Sequence, residues 1–222
     1  MDPTDAASRL AVAYALRALC TRRQRQGEYE QAVACAERIF AVYADDQSPD
    51  AFRLRADALG YLLLFSHEQG DPGRQADATR RAWQLIGEVA ALVTEAGGQA
   101  ATQPSSPDYR WAAKVICHNL GCVLLWTGRP ADAASLFERA LAQREDALTR
   151  FFYAGALLQA RGDREGALAN LRRAASDPRT SLIHRFERAF RENTSLAPVH
   201  DDPEFLAVVR EAEQRYASLA GG

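Results

Sequence analysis

This chain of 222 residues has little of several features that would point to a particular class. It has no run of about 18 apolar residues, so no transmembrane helix is expected. Its four cysteines form no CxxC pair, and the opening segment Met1–Asp5 has no cationic stretch of a secretory signal. We therefore expect free, buried thiols in a cytoplasmic protein.

Positive and negative residues are also nearly balanced. Lys and Arg together number 27, Asp and Glu 29, and the formal net charge is -2. No global field therefore attracts nucleic acid or an anionic membrane. Lys114 is the only lysine. We interpret the short arginine clusters as solvated helix faces, with a phosphate or RNA contact as the alternative. They are Arg22-Arg23 with Arg25, Arg80-Arg81 and Arg172-Arg173.

Catalytic motifs are absent from the sequence as well. It contains no glycine-rich phosphate loop, zinc-protease motif or nucleophile elbow. Cys117, His118 and Cys122 cluster within one predicted helix, but their spacing cannot direct all three at a tetrahedral metal from a single face. We therefore predict no metal, no cofactor and no enzymatic activity. A general base at His118 is the one catalytic alternative.

What the chain does contain is a pattern that returns after 34 residues. A fixed period of that size indicates stacked helical hairpins. A single hairpin cannot bury its own apolar face, so several must stack. The landmarks of one copy are Gly121, Gly128, Ala133, Phe137 and Ala140, and those of the next are Gly155, Gly162, Ala167, Leu171 and Ala174.

The same internal spacing starts twice more, at Gly27 and Gly73. From each turn glycine, small or apolar residues follow at offsets of 5, 9 and 12. Strand signals are nearly absent, and alanine and leucine recur at helical spacing, so we predict an all-α fold. The predicted helices run from about residue 4 to the turn at Gln26-Gly27, then over about 29–44 and 50–69, and from the break at 70–73 to about 94. The later predicted helices span about 108–126, 130–143, 146–160, 164–176, 181–192 and 203–218.

Glycine and proline residues that interrupt the helical pattern predict four regions. Gly97-Gly98 and the segment Pro104–Pro107 mark a linker and a hinge at 96–107. Two divergent hairpins precede it over 1–95, and two regular hairpins follow over 108–176. The last region, 177–222, breaks the repeat. We expect its helices to cap the array, with occupation of the binding groove as the alternative.

The landmarks of the third copy resemble the motif of the tetratricopeptide repeat family. The fourth copy also follows that motif. The first copy lacks the first-helix glycine, and the second has a step of 13 between its glycines where the later copies have 7. The resemblance covers roughly residues 5–176 and implies a solenoid of about four hairpins. It rests most on Leu120-Gly121-Cys122-Val123-Leu124, Gly128-Arg129-Pro130, Ala133 and Phe137-Glu138-Arg139-Ala140.

The resemblance also implies a concave groove, lined by the first helix of each hairpin, that holds a peptide or a helix. A clamp for chaperone tails is not implied, because only Asn119 falls on a clamp position and the lysine partners are absent. Packing between hairpins is the alternative role for Tyr61, Phe152 and Tyr153. The groove residues assigned in this way are Tyr14, Arg17, Thr21, Asp57, Tyr61, His118, Asn119, Cys122, Phe152 and Tyr153.

From these observations we predict a non-enzymatic scaffold or adaptor with a protein or peptide partner. The alternative is a sensor or regulatory module that responds to a signalling peptide or controls a transcription or enzyme partner, because a hinge at the linker would change the shape of the groove. A homodimer formed through an exposed apolar end is a further hypothesis.

Overall fold

The computed structural model describes residues 6–99, 107–177 and 186–220. These residues form helices and no strand, which confirms the predicted all-α fold. The helices are α1 (Ala6–Arg25), α2 (Tyr29–Val42), α3 (Pro49–Glu68), α4 (Pro72–Gln99), α5 (Pro107–Trp126), α6 (Pro130–Gln143), α7 (Ala147–Arg161), α8 (Arg164–Ser176), α9 (Phe186–Glu192), the 3-10 helix η1 (Thr194–Val199) and α10 (Pro203–Ala220).

The chain divides into two compact units, Met1–Leu120 and Gly121–Gly222, with the boundary inside α5. In the first unit α1 packs on α2, α2 on α3 and α3 on α4. In the second unit α6 packs on α7 and α7 on α8. Within each unit, consecutive helices therefore pair and stack as hairpins, as the repeat predicts.

The predicted linker at 96–107 overlaps two helices. Helix α4 continues to Gln99 and so includes Gly97-Gly98, while α5 begins at Pro107. The rest of the predicted linker, residues 100–106, lies outside the described residues. The hinge therefore stays a prediction.

Local chemistry sets the ends of α7 and α8. Asp146 accepts a hydrogen bond from the backbone N–H of Thr149 at 2.9 Å, and Asp163 accepts one from that of Gly166 at 2.8 Å. These caps satisfy N–H groups that the first turn of a helix leaves open. Gly162 ends α7 with φ at +62°, a left-handed conformation that glycine adopts without a steric penalty.

Gly121 and Gly155, in the first helices of the two regular copies, have a different role. Each leaves space for a side chain of another element to pack on the helix backbone. A Cβ atom at Gly121 would lie 2.8 Å from the ring of Phe137 in α6. A Cβ atom at Gly155 would overlap the hydroxyl of Ser195 in η1 and lie 2.8 Å from its Cβ atom. At both positions a side chain is excluded because a side chain of another element packs directly on the helix backbone.

The C-terminal elements complete the core of the second unit. Helix α10 packs on α8, and η1 packs on α7. The ring of Phe186 meets that of Phe151 edge to face, with centroids 5.6 Å apart, and both side chains are fully buried. Phe190 and Phe205 join the same core. Of the helix predicted over 181–192, α9 begins at Phe186 and residues 178–185 lie outside the described part of the chain.

Candidate functional site

Five of the predicted groove residues meet between α1 and α3 in the first unit. The Arg17 guanidinium donates a hydrogen bond to the Asp57 carboxylate at 3.0 Å. One turn along, the hydroxyls of Thr21 and Tyr61 share a hydrogen bond of 2.9 Å. Each of these pairs joins residues 40 positions apart. The two contacts lie in register and follow both helices.

Arg53 extends this row and was not predicted from the sequence. Its guanidinium donates to the hydroxyl of Tyr14 and pairs with Asp50 at 3.0 Å. It also lies 5.5 Å from the centroid of the Tyr14 ring and 5.9 Å from that of the Trp111 ring. Its buried Nε atom makes no hydrogen bond within the described structure. The signal for it in the sequence is its position one turn before Asp57.

We call this region the Asp57 surface. It combines hydroxyls, aromatic rings, cations and a carboxylate on α1, α3 and the start of α5. Its members are Tyr14, Arg17, Thr21, Arg53, Asp57, Tyr61, Trp111 and Lys114.

The carboxyl group of Asp57 has a perturbed pKa. Its side chain is 16% exposed, and burial raises the pKa of its carboxyl group above the ordinary range. The cations Arg17, Arg53 and Lys114 each lower that pKa, but burial outweighs them. Arg17 itself is 41% exposed, so part of its guanidinium faces solvent. The surface therefore holds a desolvated carboxylate beneath several cations.

Two other predicted residues of the first unit lie against its interior. A Cβ atom at Gly60 in α3 would overlap the side-chain amide nitrogen of Asn119, so Asn119 packs directly on the α3 backbone. His118 is 8% exposed. Gly60 is thus the counterpart of Gly121 and Gly155, but a flexible amide occupies the space in front of it.

The remaining predicted groove residues lie in the second unit and make packing contacts there. Cys122 is buried. Phe152 meets Trp126 edge to face at 6.2 Å between centroids and packs on the core. The hydroxyl of Tyr153 donates to Glu138 at 2.6 Å, and burial followed by this hydrogen bond raises the Tyr153 pKa.

Other kinds of site find no support in the described residues. No group of three or more His, Cys, Asp and Glu side chains is arranged there to hold a metal ion. No described helix combines the length and apolar character needed to cross a membrane. All four cysteines are free; Cys35 is half-buried, and Cys20, Cys117 and Cys122 are buried.

Comparison with known proteins identifies the third copy of the repeat. Residues 115–148 match the family model described as a tetratricopeptide repeat. The matched segment runs from within α5, through α6, to the start of α7. No curated protein matches the chain. Residues 115–148 therefore carry a tetratricopeptide repeat, which supports the family that the sequence predicts.

Proposed function

We propose that this protein is a non-enzymatic scaffold or adaptor that binds a segment of a protein partner on the Asp57 surface. Its tetratricopeptide repeat suggests a protein–protein interaction module. The observation that carries the proposal is the convergence of aromatic and charged side chains around Asp57. Aromatic residues and arginine are the types enriched where proteins bind one another.

The shape of the Asp57 surface supports a chain segment as the ligand. Its contacts follow α1 from Tyr14 to Thr21 and α3 from Arg53 to Tyr61. Two turns of helix span about 10 Å, so the row is elongated. Elongated surfaces with alternating apolar and polar positions suit an extended or helical peptide.

The charges support a segment that includes a carboxylate. Arg17, Arg53 and Lys114 lie around the carboxylate of Asp57, and Arg53 also pairs with Asp50. Arg17 keeps part of its guanidinium exposed. Guanidinium groups bind carboxylates through paired hydrogen bonds. Tyr14 and Trp111 flank these cations and offer faces for an apolar neighbour of that carboxylate.

The alternatives have less support. A sensor or regulatory module was suggested by a hinge whose residues 100–106 lie outside the described structure. His118, the one candidate for a catalytic base, is 8% exposed and so presents little of its ring to a substrate.

A peptide selection tests the proposal. A displayed peptide library is selected on the full chain, and the Kd of a recovered synthetic peptide is measured by fluorescence anisotropy. Tyr14→Ala and Trp111→Ala are expected to weaken binding about tenfold or more, because truncating an aromatic anchor costs over about 1 kcal/mol. Trp83→Ala is the matched control, since Trp83 is an exposed aromatic residue on α4.

The control is expected to change the Kd less than about twofold. Recovery of no specific peptide would count against the binding function. A specific peptide whose affinity survives both Tyr14→Ala and Trp111→Ala would instead move the site away from the Asp57 surface.

A further inference from the structure

An open cleft in the second unit lies between the start of α7 and the end of α8. Its volume is about 400 Å³, which is within the range of sites that hold small molecules. Three arginines line it, Arg150 from α7 and both Arg172 and Arg173 from α8. We call it the arginine cleft; its other residues include Glu145, Ala147 and Asp177.

Arg150 is held in place by other groups of the protein. Its side chain is only 12% exposed. The guanidinium donates hydrogen bonds to both carboxylate oxygens of Glu145, and its Nη1 atom donates to the side-chain oxygen of Asn170 at 2.6 Å. Arg150 therefore neutralises Glu145 and forms a fixed wall of the cleft.

Arg172 and Arg173 carry the unmatched charge of the cleft. Both are exposed, and neither guanidinium makes a hydrogen bond or an ion pair with the residues that the structure describes. The remaining carboxylate in the lining belongs to Asp177. Two positive charges therefore face one negative charge, and the cleft attracts anions.

The second helices of the first unit are joined by an ion pair, and no such pair joins the described helices α6 and α8. Arg81 in α4 pairs with Glu37 in α2 at 2.7 Å. The counterpart of Glu37 in the second unit is Glu138 in α6, since each follows the turn glycine of its copy by 10 residues. Glu138 accepts a hydrogen bond from the Tyr153 hydroxyl instead. Helix α6 therefore does not neutralise the two exposed arginines of the cleft.

We propose that the arginine cleft binds the phosphate group of a small molecule, and that Arg172 and Arg173 are its ligands. Guanidinium groups present N–H donors in a planar arrangement that matches phosphate oxygens. A phosphate group also offsets the excess positive charge of the cleft. This site is separate from the peptide binding proposed above, because none of its residues belongs to the Asp57 surface.

The size of the cleft favours an organic phosphate over the inorganic ion. A volume of about 400 Å³ accommodates a ligand much larger than a phosphate ion. Ala147 offers an apolar contact for the part of the ligand that carries no charge. We therefore expect a nucleoside monophosphate to bind more tightly than inorganic phosphate, and the uncharged nucleoside to bind far more weakly than its monophosphate.

Calorimetric titration of the full chain with adenosine monophosphate, adenosine and inorganic phosphate tests the proposal. The double variant Arg172→Gln, Arg173→Gln is expected to weaken binding of the monophosphate about tenfold or more, because both charged donors are lost. The matched control is Arg38→Gln, Arg210→Gln, which removes the same charge from exposed arginines of α2 and α10. It is expected to change the Kd less than about twofold at physiological salt. Circular dichroism checks that both variants are folded.

Asp177→Asn provides a second test with the opposite sign. It removes the carboxylate that opposes the two arginines, so binding of the monophosphate is expected to tighten about threefold or more. Failure of the monophosphate to bind at millimolar concentration overturns the proposal, as does an equal loss of affinity in the two double variants. Equal affinity for adenosine overturns the role of the phosphate. Tighter binding of an oligo-aspartate peptide also overturns it, and makes the cleft a contact for an acidic protein segment.

Discussion

The first helices of the hairpins use equivalent positions differently in the two units. In the first unit Arg17, Asp57 and their neighbours form a row of polar contacts with part of its surface open to solvent. In the second unit Phe152 and Tyr153 contact the core and Glu138. The repeat thus specifies how helices pack, while the residues on the first-helix face are free to differ. The first unit is therefore the better candidate for the binding site.

The largest expected effect on stability comes from truncating two adjacent phenylalanines in α7, which tests whether this helix face serves packing. Phe151 is fully buried, so Phe151→Ala is expected to lower the free energy of unfolding by about 3–5 kcal/mol. Phe152 is only half-buried, and Phe152→Ala is expected to cost about half as much. Urea unfolding followed by circular dichroism measures both.

The same two variants sharpen the comparison between the units. If Phe152 serves packing alone, Phe152→Ala leaves the Kd of the selected peptide unchanged. A tenfold loss of peptide affinity with no loss of stability would return Phe152 to the binding surface, and the contrast between the units would fail.

Substitutions of the equivalent glycines Gly121 and Gly60 have intermediate expected effects on stability. Gly121→Ala forces a methyl group against the buried ring of Phe137 and is expected to cost about 1–3 kcal/mol of unfolding free energy. Gly60→Ala meets the movable amide of Asn119, and the helix preference for alanine offsets the strain, so a change near zero is expected. Equal losses in urea unfolding at both sites would show that Asn119 is held as rigidly as Phe137.

The smallest expected effect concerns the charge of Asp57. Burial raises the pKa of Asp57, so the folded chain holds a proton there more tightly than the unfolded chain. The contribution of Asp57 to stability is therefore present at low pH and lost as pH rises from its ordinary pKa through the raised one. Asp57→Asn removes this dependence, with a change below about 1 kcal/mol.

Unfolding midpoints measured across that pH window check the prediction. Tyr61→Phe is the matched control, because it alters the neutral pair one turn away and should keep the wild-type pH profile. Arg17→Ala should widen the window, since Arg17 lowers the Asp57 pKa. A wild-type profile parallel to that of Asp57→Asn would mean that Asp57 is solvated like a surface carboxylate.

Much of the fold could be predicted from local signals. Turn glycines such as Gly162 and caps such as Asp163 mark helix ends, because their chemistry acts within one turn. Helix η1 was not predicted, although Asn193 caps it locally by accepting a hydrogen bond from the backbone N–H of Ser195 at 3.0 Å. Where η1 lies on the core depends on the packing of Ser195 against Gly155. Local capping therefore starts that element, and tertiary packing determines its position.

The site was predictable only in part. Repeat positions predicted Arg17 and Asp57, but the α1–α3 contacts join residues 40 apart rather than 34. The additional residues lie in the longer connection between α2 and α3, residues 43–48, and in the first part of α3. Arg53 and Trp111 lie outside the motif positions and meet only when α3 and α5 come together. No single stretch of sequence contains that information.

The C-terminal core of the second unit has a consequence for synthesis on the ribosome. Phe186, Phe190 and Phe205 complete the apolar core around α7 and α8, yet they are translated after both helices. A nascent chain that has reached only Ser176 leaves Phe151 and Leu171 without that cover. Exposed apolar surface of this kind promotes aggregation and is bound by chaperones. We therefore expect the α7–α8 hairpin to keep part of its apolar surface exposed until the C-terminal helices have been synthesised.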